Sequence, residues 1–196
     1  MVEIPITEIL LASQKGDLNA FRVLVETHQS YAFSLAARFL GNEEDAHDIT
    51  QETFIRIWKH LPAFDFRCKF TTWMYRIVIN LCRDRNKKRN RQNKLLDPGS
   101  PENTAVLQAA PINLINLINL EDENIKKELA AIITSFAGEL PPKQQAVFIL
   151  RDLQDQSVTE VSQILGISKS SVKSNLSHAR QNIRNKLQQM EKKNEM

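Results

Sequence analysis

Residues 158–186 have a spacing of apolar side chains that fits two helices joined by one sharp corner. On the first helix, Val161, Ile164 and Leu165 share one face, and Gly166 stands where the backbone needs a positive φ. The second helix carries its apolar residues three or four positions apart, at Val172, Leu176, Ala179 and Ile183. Two apolar stripes that meet at a glycine corner predict a helix-turn-helix.

The charges around this motif favour contact with duplex DNA. Ile167 can fill the corner, and Ser168 can cap the second helix. Between Glu160 and Glu191 the sequence has five Lys and Arg residues and no acidic residue. Because DNA binding depends on neutralising phosphates, this asymmetry predicts a DNA-binding helix. Helical hairpins with a glycine corner also occur in domains that bind no DNA, so the motif alone leaves that interpretation open.

The composition predicts an all-α fold. The 196 residues suffice for one large or two small domains, and five Gly and seven Pro leave few turns for a β-rich protein. Proline and glycine residues between 98 and 111 interrupt the helical pattern, and an Asn-Leu-Ile repeat follows at 113–120. We therefore expect two small helical domains joined by a flexible linker. The predicted boundaries are 1–94, a linker at 95–121, 122–188, and a fraying polar tail at 189–196.

The distribution of charge and cysteine excludes several functions. Basic residues outnumber acidic ones in 1–94 and 139–196, and acidic residues outnumber basic ones between them, which suggests two modules that face nucleic acid. The two cysteines form no CxxC motif, and the four histidines are scattered, so we expect no metal, no cofactor and no catalytic residues. The sequence shows no signal peptide or membrane-spanning run, which predicts a cytoplasmic protein. It also shows no catalytic constellation, which predicts that the protein is not an enzyme.

Cationic and aromatic residues alternate between 64 and 85. The residues concerned are Phe64, Phe66, Arg67, Lys69, Phe70, Trp73, Tyr75, Arg76 and Arg83. Cations can hold the phosphates of an unpaired strand while flat rings accept its unstacked bases. About half of these rings are expected to lie in the core instead, since aromatic residues are often buried.

An acidic helix is predicted at 42–59. Its polar side carries Glu44, Asp45, Asp48, Gln51 and Glu52. The helix dipole explains acidic residues in the first turn, but Glu52 lies too far along the helix for that explanation. Such a surface suits a protein partner rich in arginine.

Three motifs together resemble the bacterial extracytoplasmic-function (ECF) sigma factors of the sigma-70 family. They read DAHDITQETFIRIWKHL, KFTTWMYRIVIN and LPPKQQAVFILRDLQDQSVTEVSQILGISKSSVKSNLSHAR, and they follow one another in the family's order. The resemblance covers nearly the whole chain. It implies a region 2 helical bundle, a linker that follows the polymerase's active-site cleft and RNA exit path, and a region 4 helix-turn-helix.

The resemblance also implies specific residues and partners. The positions that bind the clamp helices in the largest subunit of core RNA polymerase correspond in this sequence to Asp45, Asp48, Gln51, Glu52 and Phe54. Recognition and melting of the −10 element is carried over to Phe64, Phe66, Arg67, Lys69, Phe70, Trp73, Arg76, Asn80 and Arg83. Recognition of the −35 element is carried over to Ser170, Ser171, Lys173, Ser174, Ser177, His178 and Arg180. The family further implies contact with the flap of the second-largest subunit and an anti-sigma factor, which is often anchored in the membrane.

Some positions depart from the family pattern, and two other functions stay open at this point. The −10 loop lacks a common glycine, and Ser162 and Asn175 stand where Ala and Arg are usual. A helix-turn-helix regulator that acts without polymerase would explain 158–186 but not 42–85. A helical protein that binds single-stranded nucleic acid would explain 64–94 but not 158–186.

Overall fold

The computed structural model describes residues 5–96 and 123–194, which form α-helices and no strand within those ranges. This confirms the predicted all-α fold. The predicted linker and its Asn-Leu-Ile repeat lie almost wholly outside the described residues.

Residues 5–96 form the first helical bundle, with four helices and a short 3₁₀ turn in that range. They are α1 (Ile6–Gln14), α2 (Leu18–Leu40), α3 (Glu43–His60), the turn Leu61–Ala63, and α4 (Phe70–Leu96). Long apolar side chains from α2, α3 and α4 fill its centre, among them Leu35, Ile57, Met74 and Val78. Burial of these side chains is the main driving force that holds the bundle together.

Residues 123–194 form the second bundle, with four further helices in that described range. They are α5 (Glu123–Gly138), α6 (Pro142–Phe148), α7 (Val158–Leu165) and α8 (Lys169–Asn194), with a π-helical turn at Ile149–Leu153 after α6. Phe148, Ile149 and Leu150 lie fully inside this core. Helix α7 packs against α4, so the two bundles are in contact.

Local sequence signals fix the ends of several helices. Asp17 accepts hydrogen bonds from the backbone of Asn19 and Ala20, and Asn42 accepts one from Asp45 N at 2.8 Å. Such caps satisfy backbone donors that have no partner inside the helix.

Two helices extend further than the sequence predicted. Helix α4 continues to Leu96, past the domain boundary predicted at 94, and α8 continues to Asn194, into the tail that was predicted to fray at 189–196. The end of α8 is rich in strong helix formers, and Leu187 packs against the core. These two properties explain why the polar tail stays helical.

Candidate nucleic-acid and polymerase interface

The loop between α3 and α4 is built on a small stack of aromatic rings. Phe64 lies against Trp73, with ring centroids 4.9 Å apart and planes inclined by 24°, and Phe70 packs edge-on against His28 at 5.1 Å. Phe64 and Phe70 are only 8% and 4% exposed. The ring faces of Phe64 and Phe70 are therefore covered by neighbouring side chains. This corrects the expectation that these two rings contact a base directly. They form the platform on which the loop rests.

Phe66 is the exposed ring of this loop. It is 41% exposed, its centroid lies 5.0 Å from that of Phe64, and its backbone has a φ of 60°. A positive φ is uncommon for a bulky residue and is often held in place by the structure around it. The loop thus presents one ring to solvent above a rigid aromatic base.

The cations near this loop have different surroundings. Arg67 is largely exposed and pairs with Asp65 at 2.9 Å, whereas Lys69 pairs with Glu160 of α7 at 2.8 Å. Arg76 donates from Nε and Nη2 to the backbone carbonyl of Gln163, also on α7. Asn80 is exposed and Arg83 half-buried on the following turns of α4. The second bundle therefore engages two of the predicted −10 residues.

The acidic face of α3 is partly neutralised by α4. Arg85 donates hydrogen bonds to the carboxylates of Asp45 and Asp48, and Glu52 pairs with Arg56 at 2.7 Å. A groove between the two helices is lined by Asp48, Ile49, Glu52, Leu81, Asp84, Arg85 and Lys88. Arg85 belongs to this surface and was missed from sequence, because its two partners lie 40 and 37 residues away along the chain.

Phe54 does not belong to that surface. It is 7% exposed and lies in the hydrophobic core, whereas Gln51 is exposed and Glu52 half-buried on the outer side of α3. The expectation that Phe54 contacts the polymerase directly is therefore corrected, because its side chain packs inside the first bundle. Glu52 and Phe54 are two residues apart, which is a rotation of about 200° around the helix axis, so these two positions face different sides.

Helix α7 and the corner after it have the geometry that the sequence predicted. Ser157 and Glu160 form a reciprocal capping box, and Gly166 takes the left-handed conformation with a φ of 65°. Ser162, where the family usually has alanine, donates from its hydroxyl to the carbonyl of Ile167 at 2.6 Å. The departure from the family pattern thus adds a hydrogen bond that holds the corner.

Helix α8 exposes most of the side chains predicted to read DNA. Ser170, Lys173, Ser174, Ser177 and His178 are exposed, and Ser171 is half-buried. A groove on this helix is lined by Lys173, Leu176, Ser177, Arg180, Gln181 and Arg184. Gln181 and Arg184 were missed, although their spacing of four and seven residues from Ser177 places them on the same face.

Arg180 has a partner that the sequence did not reveal. Its Nε and Nη2 donate to the carboxylate of Asp152 at 2.8 and 2.7 Å, and that carboxylate is almost completely buried on the π-helical turn. The hydrogen bond to Asp152 raises the pKa of the Arg180 guanidinium above its usual value. The guanidinium is thereby fixed at the edge of the α8 groove.

The described residues offer little for catalysis or metal binding. Among them, no group of three His, Cys, Asp or Glu side chains is placed to hold a metal ion. Burial raises the pKa of the Cys82 thiol to about 12, which keeps it in the unreactive protonated form. No helix in the described ranges is long and apolar enough to span a bilayer.

Comparisons with known proteins connect the two bundles to one function. Residues 24–92 match the family Sigma-70 region 2, and residues 131–183 match Sigma-70, region 4. The chain is 31% identical over 189 residues to the ECF RNA polymerase sigma factor SigW of Bacillus subtilis, covering 96% of this chain and 100% of that protein. It is 30% identical over 175 residues to the ECF RNA polymerase sigma-E factor of Escherichia coli K12, covering 89% and 90%.

Solved structures support the same fold. The sigma factor RpoE from Bartonella quintana, in complex with the anti-sigma factor NepR, superposes with a TM-score of 0.68 at 18% identity, covering 87% of this chain and 98% of that one. CnrH, in complex with the cytosolic domain of CnrY, gives a TM-score of 0.63 at 24% identity, covering 92% and 95%. The two family matches and the full-length relatives show that the chain belongs to the ECF sigma factors of the sigma-70 family and acts as an alternative sigma factor in transcription initiation.

Proposed function

We propose that the two bundles divide promoter recognition between them. The first domain (1–94) binds core RNA polymerase and the −10 element, the linker (95–121) joins the domains, and the second domain (122–188) reads the −35 element. The observation that carries this proposal is the placement of three distinct surfaces: the acidic α3 face, the Phe66 loop and the basic α8 groove. The protein acts in the cytoplasm as a binding subunit and not as an enzyme.

The −35 element is bound by the exposed face of α8. Lys173, Arg180 and Arg184 line one groove, so three cations can approach neighbouring phosphates while the short serines allow the helix to enter the major groove. For Lys173→Ala we expect the slope of log K against log salt to fall by about one unit if Lys173 contacts a phosphate. If it contacts a base instead, affinity should fall by about 1–3 kcal/mol with relaxed preference at one promoter position. Unchanged affinity and preference would contradict the assignment.

The −10 strand is held by the Phe66 loop and the cations beside it. Phe66 supplies an open face on which a base can stack, a contact worth about 1–3 kcal/mol in other single-strand binding proteins. Trp73 supports the platform by stacking against Phe64. The backbone of the unpaired strand is contacted by the polar and cationic side chains nearby, which are Arg67, Lys69, Arg76, Asn80 and Arg83.

Core polymerase is bound by the groove between α3 and α4. Asp48, Glu52 and the exposed Gln51 face outward, and this acidic surface suits a basic partner such as the clamp helices of the largest subunit. The second domain contacts the flap of the second-largest subunit. An anti-sigma factor is a further partner, which is supported by two solved relatives that are in complex with such proteins.

Binding and transcription with purified core polymerase test this proposal. The variant carrying Asp48→Lys and Glu52→Lys should lose retention in a pull-down and lose promoter-dependent transcripts, because both carboxylates that α3 contributes to the groove are reversed in charge. A matched control reverses two exposed acids on other helices, Glu8→Lys and Glu26→Lys, and should keep both activities. Full retention by the Asp48 and Glu52 variant would show that this face is only a solvated surface.

A further inference from the structure

The second half of α4 concentrates positive charge. Between Asp84 and Asp97 the sequence has six Lys and Arg residues and no acidic residue. Side chains of like charge repel one another, and such blocks often contact nucleic acid, whose phosphates relieve the repulsion. The direction in which each cation points decides whether it is available for such a contact.

Two of these cations are directed into the first bundle. Arg85 donates hydrogen bonds to the carboxylates of Asp45 and Asp48, and Arg89 donates one to the carbonyl of Leu40 at 3.5 Å. Both arginine side chains are half-buried. They hold α4 against α2 and α3 and are therefore engaged within the bundle.

Lys87 and Arg91 lie on the solvent side of α4. Both are exposed, and neither forms an ion pair with another residue of the described ranges 5–96 and 123–194. The residues of α4 that share this face follow one another at intervals of three or four, and they are Arg76, Asn80, Arg83, Lys87 and Arg91. Positions at such intervals lie on one side of a helix. The face proposed for the −10 element therefore continues into the second half of α4 as a cationic stripe, formed by Arg83, Lys87 and Arg91.

The length of the cationic stripe suits a nucleic-acid backbone. Arg83 and Arg91 are about 12 Å apart along the helix axis, at about 1.5 Å per residue. Each strand of B-DNA carries one phosphate for about every 3.4 Å of its axis. The stripe can therefore follow about four nucleotides of one strand.

The residue types of the stripe favour duplex DNA over an unpaired strand. Residues 76–96 contain no aromatic residue, whereas Phe70 and Trp73 lie in the first turn of α4. Unstacked bases need rings as partners, while cations alone contact phosphates and leave the bases paired. The chain leads from the end of α4 to the second domain, for which we proposed the −35 element. The second half of α4 is thus the part of the first domain that faces the upstream duplex.

We propose that the cationic stripe binds the phosphates of the promoter duplex directly upstream of the melted −10 segment, without reading its sequence. This rests on the proposed function, because the −10 contacts of the first half of α4 determine which DNA reaches the second half. Lys87 and Arg91 add two phosphate contacts at the edge of the melted region. Such contacts raise the affinity for DNA and its dependence on salt.

Salt-dependent binding of the holoenzyme to promoter DNA tests the stripe. The variant carrying Lys87→Gln and Arg91→Gln removes both charges and keeps a good helix former at each exposed position. We expect the slope of log K against log salt to fall by about two units, and the affinity in about 0.1 M salt to fall at least about ten-fold. A matched control, Arg22→Gln with Lys143→Gln, removes the same charge from exposed positions on α2 and α6 and should leave slope and affinity unchanged.

Neutral linkages in the DNA locate the contact. Methylphosphonates at the steps directly upstream of the −10 element should weaken binding of the unmodified chain, and they should weaken binding of the Lys87 and Arg91 variant no further. An unchanged salt slope for this variant, or additive effects of the variant and the neutral linkages, would overturn the proposal. Reduced retention of the variant on core polymerase in a pull-down would show that the stripe contacts protein, and would overturn it equally.

The unmodified holoenzyme separates this inference from the proposed function. Equal affinity for the promoter and for DNA with scrambled −35 and −10 elements would contradict the proposed function. A clear preference for the promoter, together with normal binding by the Lys87 and Arg91 variant, would overturn the cationic stripe alone.

Discussion

The pair formed by Asp152 and Arg180 gives the sharpest prediction about stability. The Asp152 side chain is only 3% exposed, and both of its oxygens accept charged hydrogen bonds from Arg180. Arg180→Ala would leave a buried carboxylate without these partners. Removing one member of a buried ion pair usually costs about 3–5 kcal/mol, and the half-exposed guanidinium places this pair at about 3 kcal/mol.

Urea denaturation of the full chain measures this cost. A loss of about 3 kcal/mol should lower the midpoint of the second domain's transition by roughly 1–3 M urea. The matched variant Arg184→Ala removes another cation from the same groove and should change the midpoint little, because no ion pair of Arg184 is formed within the described residues.

The double variant Asp152→Ala with Arg180→Met separates the pair from the surrounding packing. It should be more stable than Arg180→Ala alone, since no buried charge is left without a partner. A free energy of unfolding for Arg180→Ala within about 0.5 kcal/mol of that of the unmodified chain would refute the reasoning, because water would then have replaced Arg180 without cost.

Three further variants test the corner, the aromatic loop and a buried histidine. Gly166→Ala should destabilise the second domain by about 1–2 kcal/mol in the same urea assay, because its φ of 65° is unfavourable for any residue with a Cβ although no atom obstructs that position. Phe66→Ala should leave the thermal midpoint nearly unchanged and reduce the permanganate reactivity of melted promoter thymines, because this ring is exposed. Phe64→Ala should lower the thermal midpoint, because it removes a buried ring from the aromatic platform and leaves a cavity. Equal effects of the two variants on the thermal midpoint would contradict the assignment of Phe64 to the platform and Phe66 to the surface. Burial lowers the pKa of His28, so the first domain should lose stability as the pH falls below 6.5, and His28→Gln should flatten the dependence measured by urea midpoints between pH 7.5 and 5.5.

Helix positions and the helix-turn-helix could be predicted from sequence because their signals are local. The buried stripe Val172, Leu176, Ala179 and Ile183 follows from helical spacing, and all four side chains are buried as expected. The glycine corner depends on a single residue whose backbone preference is independent of distant contacts. The end of α8 was predicted too early because polarity was taken as a sign of fraying, while helix propensity and the packing of Leu187 decide the outcome.

Burial within the −10 loop could not be predicted in the same way. Phe64, Phe66 and Phe70 have the same side chain, and spacing gave no means of deciding which ring faces outward. In the structure Phe64 and Phe70 are buried whereas Phe66 is exposed and has a positive φ. A positive φ is uncommon for a bulky residue, so the residue type gives no sign of this conformation.

Long-range polar partners were also outside the reach of sequence reasoning. Arg76 binds a backbone carbonyl 87 residues away, and every residue has such a carbonyl, so no residue type indicates the pair. Glu160 illustrates both situations, since its capping contact with Ser157 follows a recognisable local pattern whereas its pairing with Lys69 depends on how the domains meet.

The face of α8 indicates why the second domain should depend on the rest of the complex. Asn175, which replaces the arginine usual in the family, turns back to the carbonyl of Ser171 at 2.8 Å, and the exposed serines are too short to reach far into a groove. The long cationic side chains that line the α8 groove are Lys173, Arg180 and Arg184. Of these, Arg180 already donates a hydrogen bond to Asp152. Since the number of phosphate contacts sets both affinity and its salt dependence, the isolated second domain should bind −35 duplex weakly. We therefore expect tight promoter binding only when the −10 contacts and the polymerase hold the same DNA. Once one site is bound, the other site is close to its own DNA element, and this raises the effective concentration of that element.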